Sequence, residues 1–203
     1  MLRLLVGLGN PGLRYRATRH NVGFDALDRI LKVSGGRFGA ATVEAVSAEI
    51  ELDGRALTLL KPLTFMNLSG RAVADACEAR SLSRRDVLVC VDDVALPLGT
   101  LRLREAGSAG GHNGLASVID CLGGNDVARL RIGIRPENLR GDLADFVLSP
   151  FNDEELPVID AAIDRVVAAT RAVLADGMSK AMSRFNGPVF EGESGHHQGG
   201  RLA

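Results

Sequence analysis

The sequence predicts a single α/β domain, a mixed and twisted β-sheet flanked by helices, and three observations carry that prediction. Short apolar runs bounded by turn residues alternate with stretches whose apolar residues recur near the 3.6 period of a helix. Asp53-Gly54, set between two extended runs, marks a hairpin and so an antiparallel pair in a sheet whose other strands are mostly separated by helices. The 203 residues, 46% hydrophobic and 24% charged, suit one compact core and exclude disorder as the dominant state. No repeat or linker divides the chain, so residues 1–190 are expected to form the domain and the glycine-, polar- and His-rich residues 191–203 a frayed tail.

Residues 2–8 read as a short buried strand stopped by Gly9-Asn10-Pro11-Gly12. Val22, Leu27, Ile30 and Leu31 then stripe one face of a helix from about Asn21 to Val33. Val43 to Glu51 and Arg55 to Lys61 are the hairpin strands, and Asn67 to about Ala79 is a second helix. Val87 to Val91 is continuously apolar, as in a strand buried on both faces, and is expected to end at Asp92-Asp93. Thr100 to Arg104 alternates and puts Arg102 and Arg104 on one face. A glycine-rich loop, Gly107 to Gly114, leads into a helix around Leu115 to Leu122, and Leu130 to Ile134 is a further strand. Glu154 to about Ala175 is a long helix with Thr170 and the alanines on a close-packed face, and Ser179 to Phe185 is a short last one.

Composition narrows the function classes. No run approaches the roughly 20 apolar residues of a membrane-spanning helix, and the early run Leu4 to Leu8 breaks too soon for an anchor or a secretory signal. Three cysteines, Cys77, Cys90 and Cys121, lie in apolar segments without a C-x-x-C pair, which fits a reducing cytoplasm and no structural zinc. Formal net charge is −1, yet residues 1–40 hold seven basic and two acidic groups, whereas residues 141–178 hold two basic and eight acidic ones. That asymmetry suggests a basic face for a polyanion and an opposite face that repels one.

If the chain is an enzyme, the motifs leave hydrolysis without a metal or cofactor, by a histidine-activated water, although His20 could equally be a cap or core group and Asp92-Asp93 a solvated strand end. Gly7-Leu8-Gly9-Asn10-Pro11-Gly12 has G-x-G-x-x-G spacing after a strand, but six residues intervene before any helix, and no second strand ends in an acid about 20 residues on. A nucleotide-dependent oxidoreductase is therefore the weakest reading. No nucleophile elbow, phosphate-binding loop or metal-ligand cluster occurs. Four histidines are present, two of them in the tail; of the others, His20 stands just ahead of an apolar helix, where a carboxylate at the Asp92-Asp93 strand end can fix its tautomer. Strand alternation allows only one of those two aspartates to face it. Asn10, Asn67 and Asn113 lie at element boundaries. They are either helix caps, for Asn67 and Asn113, or amides gripping one substrate. Arg102, Arg104 and Arg131 are either solvated or a phosphate grip.

These residues together resemble bacterial peptidyl-tRNA hydrolases. The matching segments run in family order: Val6 to Gly12 with Tyr15, Thr18-Arg19-His20-Asn21-Val22-Gly23, Lys61 to Gly70, Asp92-Asp93, Leu96-Pro97, Gly99, Gly110 to Leu115, and Arg129 to Ile134. The resemblance implies an esterase that releases tRNA by cutting the ester between a peptide and the tRNA 3′ end. In that case His20 is the base, Asp92 supports its ring, and Asn10 helps distinguish N-blocked from free aminoacyl-tRNA. It also implies contacts to the tRNA end or the peptide from Tyr15, Phe65, Asn67 and Asn113, with tRNA phosphates bound by Arg102, Arg104 and Arg131. Met66, with Tyr15 and Phe65, is expected to add apolar surface for the substrate's end. Ala95 departs from a family pattern that usually has an acid there. The expected partner is peptidyl-tRNA, bound by a monomer with no membrane association and no obligate protein partner. The alternative is a non-enzymatic RNA-binding relative.

Overall fold

The computed structural model describes residues 1–139 and 141–189. The expected tail, 191–203, lies outside the described residues. Six strands, β1 (Leu4–Gly7), β2 (Ala45–Leu52), β3 (Arg55–Pro62), β4 (Val87–Pro97), β5 (Leu101–Arg104) and β6 (Ala128–Arg135), form one sheet in the order β2-β3-β1-β4-β6-β5. The four central strands are parallel, and each edge strand is antiparallel to its neighbour. The mixed sheet thus follows partly from the hairpin, whose Asp53 and Gly54 both take positive φ, 51° and 75°.

Among the described residues, helices α1 (Val22–Ser34), α2 (Ser69–Ala79), α3 (Asn113–Cys121), α4 (Leu143–Val147), α5 (Leu156–Asp176) and α6 (Met178–Phe185) accompany the sheet. Strand alternation divides the apolar side chains between two cores. Leu5, Leu88 and Cys90 join α1, α5 and α6 on one face, while Leu4, Val6, Val87, Val89 and Val91 join α2 and α3 on the other. Thr170, Ala162, Ala169 and Ala172 make the close-packed face expected of α5.

The differences from the sequence reading have local causes. β4 does not stop at Asp92-Asp93 but continues to Pro97 across a register shift after Asp93. The Asp93 carboxylate holds that irregularity by accepting the Ala95 amide at 2.8 Å. Helix α2 begins at Ser69 because residues Met66–Leu68 close a tighter 3₁₀ turn first. The long helix α5 begins at Leu156, one turn of capping by Asn152 having taken the preceding amides. Helix α4, five residues with none fully buried, carried no periodic signal strong enough to be read.

The charge asymmetry resolves differently from the expected two opposed faces. Arg29 on α1 pairs with Asp160 and Asp164 on α5, and Arg19 pairs with Glu155, so part of the basic segment is neutralised by the acidic one.

Two features place the functional end of the sheet. A side chain on Gly23 would lie 2.5 Å from the carbonyls of both Leu8 and Cys90, so only glycine lets the start of α1 rest directly on β1 and β4. At the outer edge, Asn186 pairs with β5 as a strand would: its side chain accepts the Leu103 amide at 2.5 Å and donates to the Leu103 carbonyl. Gly187 exchanges two backbone hydrogen bonds with Leu101 beside it.

Gly23→Ala should lower unfolding free energy by about 2–3 kcal/mol, the cost of overpacking against rigid backbone, seen as a lower urea midpoint at unchanged slope. A second expectation concerns Asp25 on α1, which burial and then the nearby Asp28 push up to about 6. An acid raised in the native state binds its proton there while the unfolded chain releases it, so stability falls as pH rises from about 4 to 6 and stays reduced above that. Asp25→Asn should therefore raise the melting temperature at neutral pH, with the gain shrinking towards pH 4; an equal gain at both would sink this reading.

Candidate active site

The site lies just past the carboxyl end of β1, where the neighbouring β4 runs on through Asp92 beneath the start of α1, close to where α/β sheets collect ligands. Its centre is Asp92, only 3% exposed. One oxygen, Oδ1, lies 2.7 Å from His20 Nδ1 and 3.1 Å from His112 Nε2, and the two rings stand 4.9 Å apart. His20 comes from the turn before α1, and His112 from the glycine-rich loop before α3, so the two helical layers meet over one carboxylate.

Proton positions follow from the partners. His112 Nδ1 accepts the amide of Leu115 at 3.1 Å, so the His112 proton sits on Nε2 and is donated to Asp92. His20 donates its Nδ1–H to the same oxygen, which leaves its Nε2 an unprotonated acceptor. Burial by itself would push Asp92 up, but the hydrogen bonds from His112 and then His20 outweigh it and hold the carboxyl well below the usual range. Asp92 is therefore a carboxylate at neutral pH. Among the described residues, His20, Asp92 and His112 are the one His and acid group close enough, within 4.8 Å, to hold a metal ion. An ion there would have to take over hydrogen bonds that both rings already make.

Asp93 points the other way, as alternation requires, and accepts from Arg131 at 3.0 Å. Arg131 is nearly buried and spends its remaining donors on the carbonyls of Ser108 and Ala109, so it is not a solvated surface arginine. Opposite it in the ladder stands Arg102, and opposite Arg104 stands the fully buried Arg129, which binds the carbonyls of Val127, Ser108 and Asn125. Like charges facing across a ladder repel. The four arginines line a hollow of about 340 Å³ together with Asp93 and the glycine-rich loop, and Arg102 and Arg104 are its exposed members.

The asparagines are not helix caps. His112 caps α3 through its side chain, which makes Asn113 the first helical residue, and Leu68, not Asn67, precedes α2. Both Asn67 and Asn113 are exposed. Met66 is buried beside Gly114, and Phe65 before it stands 72% exposed on the same rim. Tyr15 is half-buried beneath the Arg14 guanidinium. Asn10 is half-buried, and its backbone is gripped at both ends by the Asn21 side chain, which accepts from its amide at 2.7 Å and donates to its carbonyl at 3.0 Å.

Sequence reasoning missed His112, Asn21 and Arg19. The signal for His112 was available: it is one of two histidines among the described residues, directly before an apolar helix in a loop of glycines. Asn21 and Arg19 flank His20, but their acceptors are distant in sequence and nothing local announces them.

The chain matches the family model for peptidyl-tRNA hydrolase over residues 4–193. It is 44% identical to the peptidyl-tRNA hydrolase of Chlorobium phaeobacteroides, covering 93% of this chain and all of that one, and 42% identical to that of Koribacter versatilis, covering 96% and 97%. The crystal structure of peptidyl-tRNA hydrolase from Acinetobacter baumannii superposes with a TM-score of 0.85 at 30% identity, covering 91% of this chain and 94% of that one. These matches span both helical layers and the sheet end that holds Asp92 between two histidines, and the chain belongs to the peptidyl-tRNA hydrolase family.

Proposed function

We propose that the chain hydrolyses the ester joining a peptide, or an N-blocked amino acid, to the terminal ribose of tRNA, with His20 as the base. The observation that carries this is the His20–Asp92 contact, which leaves His20 Nε2 without a proton and directed away from its anchor. His20 Nε2 takes a proton from water as the water oxygen attacks the ester carbonyl carbon. The resulting imidazolium is stabilised by the Asp92 carboxylate. As the tetrahedral adduct collapses, the bond to the ribose oxygen breaks and His20 returns the proton to that oxygen. Free tRNA and a peptide with a new carboxyl group are released.

Side-chain amides from Asn10 or Asn67 are suited to donate to the developing oxyanion, each such donor being worth about 10²–10³ in rate. Asn113, Tyr15, Phe65 and Met66 provide the amide and apolar surfaces that would receive the peptide and the terminal nucleotide. The exposed Arg102 and Arg104, in no ion pair among the described residues, supply positive charge for phosphates, whereas Arg131 acts mainly by shaping the hollow, its charge being balanced by Asp93. The reading takes the protein to act on tRNA as a monomer in the cytoplasm.

Release of tRNA from N-acetylaminoacyl-tRNA, beside unblocked aminoacyl-tRNA and in chelator-treated buffer, tests this. The intact protein should cleave only the blocked substrate, and His20→Ala should lose about 10²–10⁴ of the rate while still binding tRNA. Tight binding without cleavage by the intact protein would establish an RNA-binding relative instead. Arg102→Ala combined with Arg104→Ala should raise KM with kcat little changed and reduce the slope of log affinity against log salt by about 2. An unaltered slope would remove these arginines from the phosphate contacts.

A further inference from the structure

We propose that Arg19 is a positioning residue for His20, a clamp that ties the backbone before the base to the segment between α4 and α5. The inference rests on the reading of His20 as the base. Arg19 is 6% exposed, and three kinds of partner converge on its guanidinium. Nη1 donates to the carbonyl of Pro150 at 2.5 Å, to Ser149 Oγ at 2.6 Å and to the Ser149 carbonyl at 3.3 Å. Nη2 donates to Glu155 Oε2 at 2.5 Å in an ion pair buried on both sides. Its faces lie against Phe146, 4.4 Å from the ring centre, and Phe151, at 5.1 Å. Glu155 is fixed in turn, because the same Oε2 accepts the amide of Asn152.

The backbone repeats the connection. The Arg19 amide donates to the Ser149 carbonyl at 3.0 Å, and Thr18 bridges to Pro150. His20 therefore follows a residue held by both its main chain and its side chain to one short segment. That arrangement exceeds what the fold requires of a turn before a helix. Glycine packing at Gly23 fixes α1 itself, but His20 sits three residues ahead of that anchor, in a 3₁₀ turn without side-chain capping. Asn21 ties the far side of this turn to the Asn10 backbone; without the clamp the near side would lose its side-chain anchor, and the 2.7 Å contact that sets the His20 tautomer would lengthen. Misplacing a reacting group by about 1 Å can cost about 10² in rate. Lysine cannot substitute for the planar fork, since a single ammonium cannot hold a carboxylate on one side and two carbonyls on the other.

The test compares Arg19→Lys, Arg19→Met and the double variant Arg19→Met with Glu155→Gln; the last removes both buried charges together, so neither is left without its partner. Each is first checked for folding by its thermal transition. In folded variants kcat for N-acetylaminoacyl-tRNA should fall about 10-fold or more, with KM within about threefold of the parent. Histidine-selective ¹⁵N spectra should show the His20 proton confined to Nδ1 in the parent and shared between both ring nitrogens in the variants, while His112 keeps its Nε2 proton throughout. A folded variant with lowered thermal stability but parental kcat and an unchanged His20 tautomer would overturn the proposal. If His20→Ala retains hydrolysis, the reading of His20 as base fails, and the tautomer spectra alone still decide whether Arg19 positions that ring.

Discussion

One buried carboxylate oxygen holds the site together. Asp92 loses its hydration midway along the central strand β4, and among the described residues its side chain is compensated by two ring N–H groups, one from each helical layer. A buried anion without such donors would be strongly unfavourable. The loop before α3 and the turn before α1 must therefore both arrive at this carboxylate. Gly23 allows one approach by letting helix backbone touch strand backbone, and the His112–Leu115 cap orients the other. The sheet, the two helical layers and the protonation state of His20 are coupled through this single atom.

His112 is the less obvious half of that arrangement. Its Nδ1 is occupied by a backbone amide of its own helix, so it cannot exchange tautomers without uncapping α3. It can only donate to Asp92, and by doing so it satisfies a lone pair that would otherwise compete for the His20 proton. A residue that resembles a second catalytic histidine in sequence is, in geometry, the fixed partner of the carboxylate.

Much of this was legible from residue types alone. Val87 to Val91 read as a doubly buried strand because nothing polar interrupts it, and Asp53-Gly54 fixed the hairpin because both positions need positive φ. Opposite orientations for Asp92 and Asp93 followed from pleating. What escaped the sequence depends on long-range partners. That β4 runs on past Asp93 depends on the Asp93 side chain accepting the Ala95 amide, which holds the irregularity and lets pairing resume at Pro97. Asn67 and Asn113 resemble caps in composition, yet a 3₁₀ turn displaces one and a histidine takes the other's role. The basic first segment suggested a surface for polyanions, but α1 and α5 pack together, and two of those charges, Arg19 and Arg29, neutralise acids more than 100 residues away.

The pairing of Asn186 with β5 bears on whether copies of the protein can join at this edge. An outer strand with unpaired amides and carbonyls is a template onto which another chain can add, and β5 ends a six-stranded sheet. Its outward groups at Leu101 and Leu103 are already taken, two by the Gly187 backbone and two by one side-chain amide that imitates a strand. Arg102 and Arg104 add like charge that any second copy would have to match with its own. The border of the sheet that faces the arginine hollow is thereby closed to strand addition, and a polyanion can approach it without two protein molecules fusing edge to edge.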